Sequence, residues 1–238
     1  MNITTDATTI PPRRRRRWLR RTLIALGVVI VLLVVTVQLT VTYAPVPAPL
    51  ALPAAAGKPT GPLPGAWEVA KGSSAGLRIG QTVLFASGDV VQRTRSVTGE
   101  LTTSATAVTA ATFTVDLTTL TGDGTAGGQK TPQVAVSLDT RRHPEATITL
   151  TEPLDLDPAI DSGATVTASA GADLTLRGQT HPVTIAVTAH RDGALLRAAG
   201  SFPVAFAGWD VPGPEEYGPF GSLDDHGTAE FLLVFQRH

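Results

Sequence analysis

A strict alternation of apolar and polar residues is the feature of this 238-residue sequence that most restricts its fold. From Ala111 to Leu117 every second residue is apolar, and the same pattern returns at residues 147–151, 173–177 and 183–188. A period of two puts the apolar side chains of a strand on one face, as in antiparallel sheets with one buried face. Clusters of Gly, Ser, Asp and Pro separate the runs. About eight antiparallel strands are predicted after residue 65, in a sandwich or a barrel.

The last predicted strand differs from the others because residues 229–235 are apolar on both faces. A strand of this kind needs cover on both sides. We therefore expect a loop or another surface to lie over the outer face of this strand. A short helix is predicted near residues 133–138.

An uncharged run, Thr22 to Val41, follows seven arginines within residues 13–21. Twenty residues in a helix span about 30 Å, the thickness of a bilayer core. Arginines on one side only predict a single-pass helix in the cytoplasmic membrane, with the N-terminus in the cytoplasm and the C-terminal domain extracytoplasmic. A cleaved signal peptide, ending at the alanines of residues 54–56, is the alternative, and it also exports the domain.

These patterns divide the chain into four parts. Residues 1–21 form a basic cytoplasmic tail, and residues 22–43 form the predicted transmembrane helix. Residues 44–65 form a linker rich in Pro and Ala, which is expected to be an extended, semi-rigid stalk. Residues 66–238 form the exported β domain.

Charge and cysteine content exclude several functions. Residues 65–238 carry 11 basic and 19 acidic residues, a net charge of −8, so the domain lacks the basic surface that nucleic-acid binding needs. The chain has no cysteine, which excludes disulfides, thiolate zinc sites and cysteine nucleophiles.

Other short motifs do not indicate an enzyme. Residues 122–127 match the G-x-G-x-x-G pattern, but no βαβ unit surrounds it. The acids of residues 155–161 lack the glycine and glutamate of a calcium loop, so a solvated hairpin loop is the simpler interpretation. Asp224 to His226 is read as a surface turn, and no nucleophile accompanies it. We therefore predict no catalytic residue, no metal site and no enzymatic activity; an enzyme would require two of His143, His181 and His226 to converge in a cleft.

Several segments, taken in order, resemble the YceI-like family of polyisoprenoid-binding, lipocalin-like bacterial proteins, in particular members with an N-terminal membrane anchor. The most specific is Ala172 to Thr184, which is similar to the family pattern G-x-L-T-L-x-G-x-T-x-P-V-T. Arg93 to Leu101 resembles R-T-x-x-V-x-G, and residues 113–120 resemble F-x-V-D-L-x-x-L. One departure is at residues 127–130, where many members carry an Arg-Asp pair.

The resemblance implies an all-β fold: an antiparallel eight-stranded lipocalin-like barrel, here preceded by one N-terminal transmembrane helix. It also implies an apolar cavity that holds an isoprenoid lipid or a quinone tail, with no other cofactor. The expected partners are the lipid bilayer and this apolar ligand; protein partners are not indicated. The residues expected to face the barrel interior and to contact ligand are Phe85, Phe113, Val115, Leu117, Ile148, Leu150, Leu174, Leu176, Val183, Ile185, Val187, Phe231, Leu233 and Phe235.

Periodicity does not distinguish a hollow barrel from a filled one. With a solid core, the domain would be a structural or protein-interaction module of the cell envelope. Its candidate contact would be the uncharged segments at residues 212–214 and 218–220.

Overall fold

The structure is a computed structural model, and it describes residues 13–42, 46–83, 86–122, 132–212 and 221–238. Within these ranges, side chains are not described at residues 13–20, 37, 38, 40–42, 83, 86, 132, 133 and 221.

The described chain has two α-helices, twelve strands and three short 3₁₀ helices. The helices are α1 (Arg13–Thr42) and α2 (Pro132–Ser137), and the 3₁₀ helices are Leu117–Thr119, Pro158–Ser162 and Phe206–Trp209. The strands are β1 (Gly65–Val69), β2 (Ser74–Val83), β3 (Ala86–Thr94), β4 (Val97–Thr103), β5 (Ala107–Asp116), β6 (Thr121–Gly122), β7 (Glu145–Leu150), β8 (Leu154–Asp155), β9 (Val166–Leu176), β10 (Gln179–Asp192), β11 (Leu195–Ala205) and β12 (Gly221–Arg237). The short helix predicted near residues 133–138 is confirmed by α2.

Eight of the described strands form a closed antiparallel barrel in the order β1-β4-β5-β7-β9-β10-β11-β12. The ring closes because β1 pairs with β12, with Trp67 opposite Arg237. β2 continues β1 along the same partner β12, and β3 lies beside β2. The prediction of an eight-stranded antiparallel barrel is confirmed. Closure removes the free edges of these eight strands, whereas β3 pairs on its other side with β6 only at Gln92 and Arg93.

The two ends of the barrel are built from different elements. One end, called the floor, carries the β10–β11 turn at Gly193, the β4–β5 turn and the 3₁₀ helix Pro158–Ser162. The opposite end, called the α2 end, carries α2 and the 3₁₀ helix Phe206–Trp209. The acidic segment expected to be a solvated hairpin loop is instead part of the floor, since Ile160 is almost completely buried there. Residues 224–226, expected in a surface turn, lie on β12 at a shift in its register.

Residues 47–64, called the strap, lie along the outer wall of the barrel. The Leu50 amide donates to Glu230 Oε2 at 3.2 Å, and the Gly57 amide donates to Asp192 Oδ1 at 2.8 Å. The prediction that this segment stands free as a stalk is therefore wrong. An extended backbone was expected, but its polar groups are held by the barrel.

Arginines from the barrel provide many of these contacts. Proline has no N–H, and an extended proline-rich backbone leaves its carbonyls without partners inside the chain. An arginine offers five N–H donors, so it can satisfy several such carbonyls. The donor and acceptor pairs are Arg78 to Pro47, Arg93 to Ala48, Arg191 to Thr60 and Gly61, and Arg237 to Pro62 and Pro64.

The outer face of β12 is covered in two places, which confirms the prediction for this strand. The strap lies over Glu230 through the Leu50 amide. The turn before β2 covers Val234, whose amide donates to Ser73 Oγ at 2.9 Å. Both Glu230 and Val234 are buried although they point away from the barrel interior.

The strap reaches its floor-side contacts beside His190, which is 1% exposed. Desolvation lowers the pKa of His190; the nearby Asp192 raises this pKa and Arg197 lowers it. The unfolded chain therefore binds a proton near pH 6.5 more readily than the folded one does. Stability should be intact above this pH and fall as the pH drops below it.

We expect His190→Gln to flatten the dependence of the unfolding free energy on pH between 7.5 and 5.5, as measured by urea denaturation. His226→Gln is the matched control, because the hydrogen bond to Asp225 raises the pKa of His226. That contribution has the opposite sign: it is present at low pH and is lost as the pH rises through the folded pKa. Equal slopes for wild type and His190→Gln would contradict the prediction.

The helix α1 precedes the strap, and its large apolar side chains are mostly exposed, among them Leu26, Ile30 and Leu33. Among the residues whose side chains are described, no helix is both long enough and apolar enough to cross a membrane.

Candidate ligand cavity

The barrel encloses a cavity of about 190 Å³. Strands on every side of the barrel contribute to its wall, and side chains from helical segments lie at both ends. A fully packed core leaves few voids larger than a water molecule. The interior is therefore hollow, which decides against the solid core that the sequence left open.

The wall of the cavity is almost entirely hydrocarbon. Apart from Gly76 and Glu230, the residues that line it are Ala, Val, Leu, Ile and Phe, and the Glu230 side chain points away from the interior to the outer wall. The Glu230 carboxylate is held by Arg93, at 2.9 Å from Nε and 2.7 Å from Nη2. Water enters a buried cavity only where it finds polar partners, and an apolar cavity of about 150 Å³ stays dry and admits apolar molecules. The chemistry of this wall suits a hydrocarbon chain.

The cavity is long in the direction of the barrel axis. On β11 its lining runs from Leu196, near the floor, to Val204, near the α2 end. Eight steps along a strand are about 26 Å, or about 20 Å along the axis for a strand tilted by about 40°. A slender linear ligand fits this shape better than a compact one.

At the floor, apolar side chains such as Ile160 line the cavity, and charged and hydrogen-bonded groups hold the surrounding segments in place. Arg191 is buried and donates from Nη1 to Asp161 Oδ1 at 3.0 Å, while Nη2 donates to the strap carbonyls of Thr60 and Gly61. Trp67 lies nearby, 1% exposed, with its Nε1 donating to Leu63 O at 3.1 Å. Opening this end would break several buried polar contacts at once.

The α2 end is closed mainly by apolar packing. Leu138, just after α2, and Phe206 both line the main cavity. The same two side chains also line a smaller cavity of about 10 Å³ between α2 and residues 206–212. A seam between two short helical segments therefore adjoins the main cavity at this end.

The structure brings together most of the residues expected from the sequence. Those that line the cavity are Phe113, Val115, Leu117, Ile148, Leu150, Leu174, Leu176, Ile185, Val187, Phe231, Leu233 and Phe235. Val183 is half-buried and packs against the apolar cluster near the α2 end, outside the lining. Phe85 lies outside the described residues. That these side chains contact a ligand stays a prediction.

The alternation argument missed the small side chains of the wall. Ala75, Ala146, Ala170 and Ala172 line the cavity alongside the larger residues. Each lies at an inward position of its strand, so period two could have found it. These alanines are important because a methyl group leaves space that a larger side chain would fill.

Histidines lie outside both described cavities. His181 packs edge-on against Trp209, with ring centroids 5.0 Å apart, and His226 Nδ1 is 2.7 Å from Asp225 Oδ1. The described residues include no group of three or more His, Cys, Asp or Glu side chains placed to hold a metal ion. Residues 123–127 of the glycine-rich motif, and the candidate contact at residues 213–214 and 218–220, lie outside the described residues.

Comparisons with known proteins agree with this architecture. Among solved structures, a polyisoprenoid binding domain from Saccharophagus degradans, implicated in plant cell wall breakdown, matches with a TM-score of 0.53 at 14% identity. The match covers 74% of this chain and 99% of that one. BcnA from Burkholderia cenocepacia matches with a TM-score of 0.48 at 19% identity, over 67% of this chain and 95% of that one. Comparison with curated proteins gives no significant match.

The family itself is identified from the sequence. The model of the YceI-like domain matches residues 67–235, which are almost the whole barrel from β1 to β12. The resemblance seen in the strand motifs is thereby confirmed, and the chain belongs to the YceI-like domain family.

Proposed function

We propose that this protein binds an apolar lipid of the isoprenoid type inside its barrel. The observation that carries the proposal is the cavity with a hydrocarbon wall inside the barrel. Burial of each ligand methylene contributes about 0.8 kcal/mol, so a long chain gains affinity along its whole length without any specific polar contact. The similar domain from Saccharophagus degradans is described as polyisoprenoid binding, which supports the same ligand class here.

The proposed function is binding, without catalysis. Binding by hydrocarbon contact needs no nucleophile, general base or metal. Among the described lining residues the one ionisable residue is Glu230, whose side chain points to the outer wall and is held there by Arg93.

A second part of the proposal is that α1 tethers the barrel to the outer face of the cytoplasmic membrane. The run from Thr22 to Val41 has no charged residue, and seven arginines precede it. In α1 the exposed apolar side chains lie on all sides, whereas a helix that packs on a protein has one apolar stripe. Such a helix gains free energy by transfer into hydrocarbon. The arginines support an orientation with the N-terminus in the cytoplasm.

The test is to identify what the full-length protein carries. The protein would be purified from membranes in detergent, extracted with organic solvent, and the extract analysed by mass spectrometry. Bulk lipid also co-purifies, so the matched control is Ala170→Phe, which puts a ring into the cavity. We expect an isoprenoid mass that is enriched in wild type and depleted in the variant.

A second experiment is needed if the expression host does not make the natural ligand. The delipidated protein is offered a prenylated quinone or a polyprenol and analysed by native mass spectrometry. If wild type takes up neither, or takes up no more than Ala170→Phe, the lipid-binding proposal is wrong.

A further inference from the structure

We propose that the barrel stands on the membrane with its α2 end down, so that Val136, Arg141 and Arg142 contact anionic lipid headgroups and lipid passes between bilayer and cavity at that end. The inference rests on the proposed membrane tether and extends it to a defined contact surface. It follows from the course of the strap, from the surface of the α2 end and from the way each end is closed.

The strap sets the direction in which the tether leaves the barrel. Pro47 is held by Arg78, and Leu50 is held by Glu230, both at mid-height on the wall. By Gly57 the strap has reached the floor turn. The strap thus runs toward the floor from its N-terminal side, and the chain before it points toward the α2 end. In agreement, Cα atoms of α1 approach those of β3 within 8 Å.

A large apolar side chain is exposed at the α2 end, where it is available to contact a bilayer surface. Val136 is 72% exposed on α2. Outside α1, the other exposed large hydrophobic side chain among the described residues is Val46, directly before the strap. Val136 and Val46 lie on the part of the molecule that faces the membrane in the proposed orientation.

Two exposed basic side chains lie at the α2 end. Arg141 and Arg142 follow α2, with 83% of the Arg142 side chain accessible, and Arg142 forms an ion pair with Asp139 at 3.6 Å. At the floor, the exposed side chains include the acidic Asp155, Asp157 and Asp161 as well as the basic Lys58 and Arg237. Arginines close to an anionic leaflet are attracted to it, whereas carboxylates are repelled.

The acidic residues Asp224 and Asp225 also lie toward the α2 end, on β12, where Asp225 is paired with His226. Asp139, in the turn after α2, pairs with Arg142, so the proposed contact surface is small and consists of Val136, Arg141 and Arg142. This small surface predicts a tilted contact in which the α2 side of the barrel end lies nearest to the lipid.

The two ends differ in what must move to admit a lipid. At the α2 end, a shift of α2 would separate Leu138 from Phe206 along the seam, and these side chains make apolar contacts that the bilayer can replace. At the floor, Arg191 would lose its bonds to Asp161 and to the strap. The α2 end is the less costly route, and it is the end closest to the lipid.

The experiment measures which end approaches the bilayer. The natural chain has no cysteine, so single cysteines can be placed for labelling without other changes. Val136→Cys on α2 and Ala105→Cys in the exposed β4–β5 turn of the floor would carry the same fluorophore. Each full-length protein is reconstituted into vesicles containing anionic lipid and a fraction of lipid with a headgroup quencher. We expect more than half of the emission at residue 136 to be quenched, and less than a tenth at residue 105.

The outcomes separate the two proposals. Protein that does not float with the vesicles contradicts the tether, and the orientation with it. Protein that floats but is quenched as strongly at residue 105 as at residue 136 overturns the orientation alone. Lipid binding by the cavity is measured separately and can survive either result.

A charge variant provides a second, independent readout. In the protein labelled at residue 136, the double substitution Arg141→Glu and Arg142→Glu should reduce quenching by at least half on anionic vesicles. It should also slow the transfer of a prenylated quinone from the vesicles into the cavity by about five-fold. If neither quantity changes, the two arginines do not contact the membrane and the proposed surface is wrong.

Discussion

Ala170→Phe is expected to lower the affinity of the barrel for an isoprenoid chain by at least ten-fold. Ala170 lies on β9, lines the cavity and stands opposite Ile185 of β10. A phenyl ring at this position occupies space that the ligand chain needs, and each displaced methylene removes about 0.8 kcal/mol of binding free energy. Two lost methylenes already exceed the 1.4 kcal/mol that corresponds to a factor of ten. The measurement is equilibrium binding of a fluorescent polyprenyl analogue.

The control is Ala186→Phe, which adds the same ring next to Ile185 in the chain but at an exposed, outward position. It should bind the analogue like wild type. Overpacking of a core costs about 1–3 kcal/mol, so thermal unfolding must show that Ala170→Phe remains folded. If the folded Ala170→Phe variant binds as well as Ala186→Phe, the cavity is not the binding site.

Glu230→Ala is expected to destabilise the protein by about 3 kcal/mol, because it leaves Arg93 without its carboxylate on a covered part of the wall. Removal of one partner of a buried ion pair costs about 3–5 kcal/mol, and the partial exposure of Arg93 places the expected value at the low end. The pair also depends on Gly76, since a Cβ there would come within 2.7 Å of Arg93 Cγ. At about 2–4 °C per kcal/mol, the melting temperature should fall by about 6–12 °C.

The comparison is Asp89→Ala, which removes an ion pair of similar length, 3.2 Å, to Arg78. Asp89 is substantially exposed, so its pair should contribute no more than about 1 kcal/mol. Differential scanning calorimetry measures both variants. Equal shifts for Glu230→Ala and Asp89→Ala would show that the strap does not shield the Arg93–Glu230 pair from water.

The sequence predicted those parts of the fold that depend on periodicity. Alternation identified the strands. It also assigned Phe113, Ile148 and Leu174 to the interior, because successive side chains of a strand point to opposite faces and the apolar set takes the buried face. It could not show whether the interior is hollow. Whether the interior is hollow depends on the sum of side-chain volumes around the ring. Alanines such as Ala170 contribute little to a hydrophobic pattern.

The strap could not be predicted from composition. Seven prolines within residues 45–64 indicate an extended chain, and this part is correct. Docking depends on single side chains far away in the sequence, such as Arg191 and Arg237, whose partners are backbone carbonyls. Backbone carbonyls exist at every residue, so no local pattern marks the ones that an arginine will bind.

The pairing of β1 with β12 has a consequence for the order of folding. The ring closes only when Trp67 of β1 meets Arg237 of β12. Synthesis proceeds from the N-terminus, so β12 becomes available after the other strands of the barrel. Until then the hydrocarbon wall of the cavity faces outward along an open sheet, and contacts of such large sequence separation form slowly. A lipid present at that stage can bind to the open sheet and be enclosed as the ring closes, without passing either end of the finished barrel.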